Sequence, residues 1–408
     1  MIRFVNAFLL DGRGGYHERS GLTIDDDRIT AVGPHHAAGP SRNDDTVIDL
    51  QGRTLMPGMI DTHCHPGGGD YDPAHEHEPP GMQALRTVEA VQRTLRAGFT
   101  TIRSAGTKHA VDVDVRTAIN QGLVWGPRLI ASGPGITCTA GHGHFWATEV
   151  DGPDAIRAEV RRQILRIGVD SIKILAVSGG IATANQEIDT EHYTVEEIAA
   201  AVDQSRKLGK LNQTHAISLK GIKNAVTAGV NSIDNGIFLD EEACTRMRDQ
   251  GIFLVPSFGP FVYYEFKRIA EPWRWERSLG VHEHHVRSFR MAIDLGVPIA
   301  LGSDNGAPSR FKAGDNAEEY QFMVEAGMPP ELAIIAGALD AARLLHLDGL
   351  IGSLEPGKLA DLIVVDGNPL EDITTLHNRL VFVMCGGRIY RDDLGLAGTA
   401  GPALHGVP

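Results

Sequence analysis

The stretch Ile60-Asp61-Thr62-His63-Cys64-His65-Pro66, "IDTHCHP", closes the apolar run "LMPGMI" at 55–60. In an extended strand alternate side chains leave the same face. His63 and His65 therefore point together while Cys64 points the other way. Two imidazoles converging on one spot can ligate one metal ion. A chain with 18 histidines also produces such pairs by chance. The meaning of the pair therefore depends on what other segments bring to the same place.

Working outward, apolar strand-like runs recur at Thr54–His65, Phe99–Gly106, Arg128–Gly135, Ser171–Val177, Leu211–Ala216, Ser232–Ile237, Phe253–Phe258 and Pro298–Asp304. Amphipathic helical stretches such as "DAIRAEVRRQILRIG" (154–168) and "TVEEIAAAVDQSRKLG" (194–209) lie between them. Strands alternating with helices read as βα units. Eight of them suggest an α/β fold built on a (β/α)8 TIM barrel, for which roughly 250 residues is typical. The barrel is expected over 57–351.

Both chain ends have a different texture. "RFVNAFLLDG" (3–12), "GLTIDDDRITAVG" (21–33) and "DTVIDLQGRTLMPG" (45–58) read as short strands with Gly and Asp turns. So do "GKLADLIVVDG" (357–367) and "LVFVMCGGRIYRDD" (380–393). A small β-sandwich domain is expected from 1–56 together with 352–393. The tail 394–408, "LGLAGTAGPALHGVP", reads as loose.

Composition narrows the function classes. With 408 residues, 42% hydrophobic and 22% charged, the chain has the make-up of a globular protein with a large core. A net charge of -14 argues against nucleic acid and against an anionic membrane surface as partners. The four cysteines are scattered, with no disulfide-framework spacing. The N-terminus lacks the pattern of a signal peptide, and no window is apolar for long enough to span a bilayer. A cytoplasmic protein acting on a small molecule is expected.

Functional residues of such a barrel sit at the C-terminal ends of its strands. The unusual polar residues fall there: His63 and His65 in the first, His215 in "LNQTHA" of the fifth, Asn235 in "SIDNG" of the sixth and Asp304 in "IALGSDNG" of the eighth. Lys173, in "SIKILAV" of the fourth, is either an edge-strand lysine whose amine reaches water or a buried one. Burial of an unpaired ammonium is expensive and favours the neutral amine. A neutral amine can take up carbon dioxide to form a carbamate, whose oxygens can bridge two cations.

The segments "LMPGMIDTHCHP", "SIKI", "THA" and "LGSD", with the C-terminal "GSLEPGKLADLIVVDGNPLED", resemble the amidohydrolase superfamily. Within it they are similar to the imidazolonepropionase-like group that includes Xaa-Pro dipeptidases. The resemblance covers nearly the whole chain. It implies one divalent metal, zinc first and manganese or cobalt as alternatives, held by His63, His65 and Asp304. It implies a carboxylated Lys173 bridging to a second metal at His215 and the sixth-strand ligand. Asp304 would accept a proton from the attacking water and deliver it to the leaving group.

The sequence departs from that pattern at Asn235, where the superfamily carries histidine. An amide oxygen is a poorer ligand than imidazole for zinc-like ions, so Asn235 is a weak or lost ligand. One ion is expected to be firmly bound at His63, His65, Asp304 and Lys173, with His215 able to contribute. The asparagine marks either a branch similar to hydrolases of ureas and thiocarbamates, or a substitution made to trap a ligand.

The loop "TAGHGHFW" (139–146) resembles the Gly-His-Gly loop of the dipeptidase group. There His142 would donate a hydrogen bond to the developing oxyanion, with His144 beside it as a substrate contact. The alternative is that both merely satisfy loop hydrogen bonds. The segment "FGPFVYYEFKRIAEPWRW" (258–275) is rich in aromatics, and Tyr263 and Tyr264 there would clasp an apolar or aromatic substrate. Its other reading is a hydrophobic contact in a homo-oligomer. His75 and His77, in the loop after the first strand, are expected to face solvent. The function expected is metal-dependent hydrolysis of a carbon–nitrogen bond in an amide, peptide-like, carbamate or urea substrate. The alternatives are a deaminase, a lactone or ester hydrolase, or a scaffold protein with a degenerate site.

Overall fold

The computed structural model describes residues 1–34, 45–68, 77–178, 188, 190–268, 271–306 and 311–395. The loop position of His75 and the tail from 396 onward lie outside them. Five strands come first: β1 (Ile2–Leu10), β2 (Tyr16–Asp25), β3 (Arg28–Pro34), β4 (Thr46–Asp49) and β5 (Thr54–Pro57). A second series alternates with helices: β6 (Met59–Cys64), β7 (Phe99–Ser104), β8 (Arg128–Ile130), β9 (Ile136–Thr137), β10 (Thr148–Glu149), β11 (Ser171–Ser178), β12 (Leu211–Ala216), β13 (Ser232–Asn235) and β14 (Phe253–Val255). Then follow β15 (Leu362–Val365), β16 (Leu380–Cys385) and β17 (Arg388–Asp392).

The helices between the parallel strands start and stop where the sequence supplies caps. Thr194 and Glu197 form a reciprocal capping box at the start of the helix Val195–Lys207. Ser218 and Asp240 cap Leu219–Ala228 and Glu241–Gln250, and Gly229 and Gly251 end those helices in the left-handed conformation.

Strands from the two chain ends join in one sheet, ordered β17-β16-β15-β5-β1-β2-β3 with β4 also paired to β1. The junction is the antiparallel pair β5–β15, in which Thr54 faces Val365 and Pro57 faces Leu362. Phe4 of β1 and Phe382 of β16 approach to 5.6 Å between ring centroids. Three strand spacings of a flat sheet would hold them about 14 Å apart, so the sheet curls round its own core. The strands of the expected small β-domain thus join as one curled eight-stranded sheet. Its curvature follows from β1, which is bulged against β2 and pairs with β4 along its first half and β5 along its second.

The parallel strands form two sheets, β6-β7-β8 and β10-β9-β11-β12-β13-β14, and among the described residues they do not close into one continuous ring. At one seam the backbone N–H groups of Asp170 and Ser171 donate to the Ala131 carbonyl at 2.8 and 3.2 Å. At the other, the expected eighth strand, Pro298–Asp304, makes only isolated parallel bridges, Leu254 to Ile299 and Cys64 to Asn305. Its ladder is interrupted because Leu301 N–H donates to Ala336 and Ile60 N–H to Gly337, at the end of the helix Pro330–Ala336. The first expected strand, Thr54–His65, is likewise divided. It crosses from the terminal sheet to the parallel strands at Gly58, where a Cβ would lie 2.3 Å from the Thr100 side chain.

Alternation within the parallel strands sorts side chains by face. In β11 Ile172 and Ile174 enter the hydrophobic core, while Lys173 between them is buried on the opposite side. Among the described residues no helix is long and apolar enough to cross a membrane.

Candidate metal centre

The backbone of β6 and of the segment after Leu301 run side by side. Asp304 N–H donates to the His63 carbonyl, and His65 N–H donates to the Asn305 carbonyl, each at 2.6 Å. Three side chains from these neighbouring segments converge. His63 Nε2 lies 3.3 Å and His65 Nε2 3.2 Å from Asp304 Oδ1. One ligand atom from each of the three residues lies within 4.8 Å of the others.

The tautomer of His63 follows from its neighbours. Ser257 Oγ donates to the Gly302 carbonyl at 2.9 Å, so its oxygen is left to accept from His63 Nδ1–H, also at 2.9 Å. The Nε2 lone pair then faces Asp304, the orientation a ligating imidazole needs. Asp61 fixes both sides of the site. Its Oδ1 accepts the N–H groups of His63 and Ser303 at 3.0 and 3.1 Å, and its Oδ2 accepts from Asn316 Nδ2 at 2.7 Å.

Lys173 is buried, its Nζ donating to Asp234 Oδ2 and lying 3.4 Å from His63 Nε2. Asn235 turns its amide to the carboxylate, Nδ2 donating to Asp304 Oδ2 at 3.2 Å. Its Oδ1 has no hydrogen-bond partner among the described residues. The His215 ring stacks on that of His142 at 4.2 Å with 12° between planes. The loop bearing His142 is anchored by Thr137, whose hydroxyl donates to the His142 carbonyl at 2.7 Å. Trp146 of the same loop meets the His65 ring edge-on at 5.7 Å. His142 and His215 thus flank the three-residue group without joining it.

Three further residues are engaged by groups near them. His144 Nδ1 lies 3.0 Å from the Gly141 carbonyl, a hydrogen bond within its own loop. Tyr263 gives its hydroxyl to Glu318 at 3.2 Å and lies against Phe311, while Tyr264 is buried beside Phe261. His77 is exposed.

Burial shapes the charges. It pushes the His63 imidazole well below its ordinary value against the pull of Asp304. His142 falls to about 4, burial again prevailing over the attraction of Asp304. Burial lowers Lys173, opposed chiefly by Asp234. For Asp304 burial acts upward, but His63, His65 and Lys173 together hold the carboxyl below the usual range. The result is a neutral His63 imidazole facing an ionised carboxylate, with the His65 ring beside them, a donor set suited to a divalent cation.

Several contributors were not singled out in the sequence. Asp61, Arg103 and Asp234 carried a signal, since each is a charged residue at an alternating position in a strand of otherwise buried residues. Ser257 and Asn316 lie outside the strands, and no local pattern marks them.

A His-His-carboxylate group at the ends of parallel strands is a donor set for a divalent cation, as in metal-dependent hydrolases. The chain belongs to the amidohydrolase family, which it matches over residues 54–390. It is 28% identical to an ochratoxinase of Aspergillus niger, with 94% of this chain and 85% of the relative aligned. It is 23% identical to an imidazolonepropionase of Geobacillus kaustophilus, with 93% and 92% aligned. A crystal structure of a Xaa-Pro dipeptidase with methionine bound in its active site superposes with a TM-score of 0.86 at 33% identity, covering 96% of this chain and 99% of that one.

Proposed function

We propose that the protein hydrolyses the carbon–nitrogen bond of a small amide or peptide-like substrate, with carbamates and ureas as the next class, using one divalent ion held by His63, His65 and Asp304. The convergence of those three side chains within 4.8 Å carries the proposal. The names of the relatives, an ochratoxinase and a Xaa-Pro dipeptidase, support amide and peptide-like bonds over the alternatives. The bound ion, zinc first and manganese or cobalt next, would polarise the scissile carbonyl and acidify a water.

The chain's own residues supply the rest. Asp304, kept ionised by its imidazole neighbours, takes the proton from the attacking water and passes it to the leaving nitrogen. Its Oδ2 is oriented for this by the Asn235 amide. His142, neutral near pH 7, donates a hydrogen bond to the substrate oxygen as negative charge develops there. His215, stacked beneath His142, holds that ring in place.

A single ion is proposed because Asn235 gives its amide N–H to Asp304 and its remaining amide oxygen is a poorer ligand than an imidazole. A carbamate on Lys173 would bridge to a second ion, and the burial of Lys173 beside His63 supports one. Its contact with Asp234 opposes it, since two anions would then stand together. The same proposal assigns catalysis to 57–351 and places the small β-domain in 1–56 with 352–393. It sets the protein in the cytoplasm as a homo-oligomer, for which exposed Phe266 and Leu279 beside the aromatic segment offer an apolar contact.

The test is zinc loading of the full chain followed by assay against N-acyl amino acids, Xaa-Pro dipeptides, carbamates and phenylureas. Turnover of one amide class is expected, falling at least ~100-fold in Asp304→Asn and vanishing with zinc binding in His63→Ala. Undiminished turnover in either variant, or no zinc uptake by the wild-type chain, overturns the proposal.

A further inference from the structure

The turn that carries Ser257 is pinned from a helix outside the metal centre. Glu319, in the helix Glu318–Glu325, is fully buried. Its two carboxyl oxygens accept the consecutive N–H groups of Phe258 and Gly259 at 2.7 and 3.0 Å. Those amides open the helix Gly259–Glu265, where Phe258 offers no side-chain cap and Pro260 has no N–H to give. Burial pushes the Glu319 carboxyl well above its ordinary value, against the pull of the two backbone bonds. A carboxyl so placed is costly for the fold, which points to a task beyond packing.

The residue just before these amides is Ser257, held at a φ of 55°. A strained turn of this kind persists only where its surroundings over-determine it. On one side the Ser257 hydroxyl is tied to the Gly302 carbonyl. On the other, the Phe258 ring is packed on His285 and Phe289, which places the side chain and leaves the two peptide groups to Glu319. The same Ser257 oxygen accepts from His63 Nδ1–H, and that bond aims the Nε2 lone pair at Asp304.

We infer that Glu319 is a positioning residue of the metal centre. By holding the Phe258 and Gly259 amides it keeps Ser257 in the turn that presents its hydroxyl oxygen to His63. The inference rests on the metal reading proposed above.

Zinc affinity of the full chain, measured by competition with a chelator, tests it, with urea unfolding in metal-free buffer read on the same preparations. Glu319→Gln sets an amide nitrogen, which cannot accept, against one of the two backbone donors. It is expected to weaken zinc by about 3–10-fold, the upper figure being what loss of the Ser257 hydroxyl itself would give. In a Ser257→Ala background the same substitution is expected to change zinc affinity less than about twofold, because its effect passes through that hydroxyl. A merely structural role would lower urea stability in both backgrounds and leave the affinity alone. Unchanged affinity in Glu319→Gln, or a loss of the same size with and without the Ser257 hydroxyl, overturns the inference. If Glu319→Gln fails to fold, Glu319→Asp keeps the carboxyl on a stem too short to reach both amides; it is expected to weaken zinc several-fold, and unchanged affinity overturns the inference. A wild-type chain that takes up no zinc, or His63→Ala that binds as wild type does, overturns the metal reading together with this inference. Zinc lost in His63→Ala but fully retained in Glu319→Gln overturns this inference alone.

Discussion

At the residue scale, Ser257 decides which nitrogen of His63 is free. Its hydroxyl is committed to Gly302, so it can only accept from Nδ1–H. Ser257→Ala removes that restraint while leaving every proposed ligand, and zinc affinity is expected to fall roughly 10-fold, read by chelator competition at unchanged protein concentration. Asn235→His asks the complementary question. An imidazole in place of the amide would offer a lone pair where the chain now presents a donor to Asp304. The zinc content of the purified variant is expected to rise from one toward two ions per chain, and an unchanged ratio would remove Asn235 from the metal centre. The histidines were legible because strand alternation alone aligns His63 with His65. The pairing of Lys173 with Asp234 was not, because the two lie 61 positions apart and only the crossing of β12 joins them.

At the scale of elements, three successive segments end alike. Asn235, Ser257 and Asp304 all adopt positive φ, at 74°, 55° and 54°. Asparagine and aspartate enter that region more readily than most side chains, but serine does so at a cost of about 1 kcal/mol or more. Such turns swing the chain out of the strand at once and leave the last side chain facing its neighbours across the mouth. The strands themselves were readable from apolar runs, and Leu211–Ala216 has the expected limits. The eighth was readable as a segment but not as an interrupted one, because the groups that interrupt it come from Ala336 and Gly337, more than thirty residues downstream. Close approach of this segment to β6 gives a sharp prediction. A Cβ at Gly302 would lie 2.6 Å from His63 Cβ and 2.3 Å from Val255 Cγ1. Gly302→Ala is expected to cost about 1–3 kcal/mol of stability and to lose zinc along with it, measured by urea unfolding and metal analysis of the same preparation.

At the scale of the whole molecule, buried ionisable groups set how the fold meets acid. His285, in the helix Val281–Asp294, stacks on Phe258 at 4.1 Å between ring centroids. Burial, aided by repulsion from His282, lowers it to about 3. In the unfolded chain the imidazole takes up a proton below about 6.5; in the folded one it resists until about 3. The unfolded state therefore binds more protons across that window, and stability must fall as the pH drops through it, by up to ~1.4 kcal/mol for each pH unit. Buried His142 and His63, both lowered, act in the same direction. Asp61 acts oppositely. Burial raises it to about 6 despite its bonds from Ser303 and Asn316, so between about 3.8 and 6 it favours the folded state as the pH falls. Burial raises Glu319, Asp315 and Asp340 too, and they act as Asp61 does. The lowered histidines, with His192 and His282 among them, outnumber these carboxyls, and acid unfolding is expected to begin below about pH 6.5. His285→Leu keeps the packing against Phe258 apolar and removes one proton acceptor from the unfolded chain. The midpoint of acid unfolding, followed by far-UV circular dichroism in metal-free buffer, is expected to move to lower pH in this variant. A midpoint that stays put or rises would show that protonation of His285 is not what the fold gives way to.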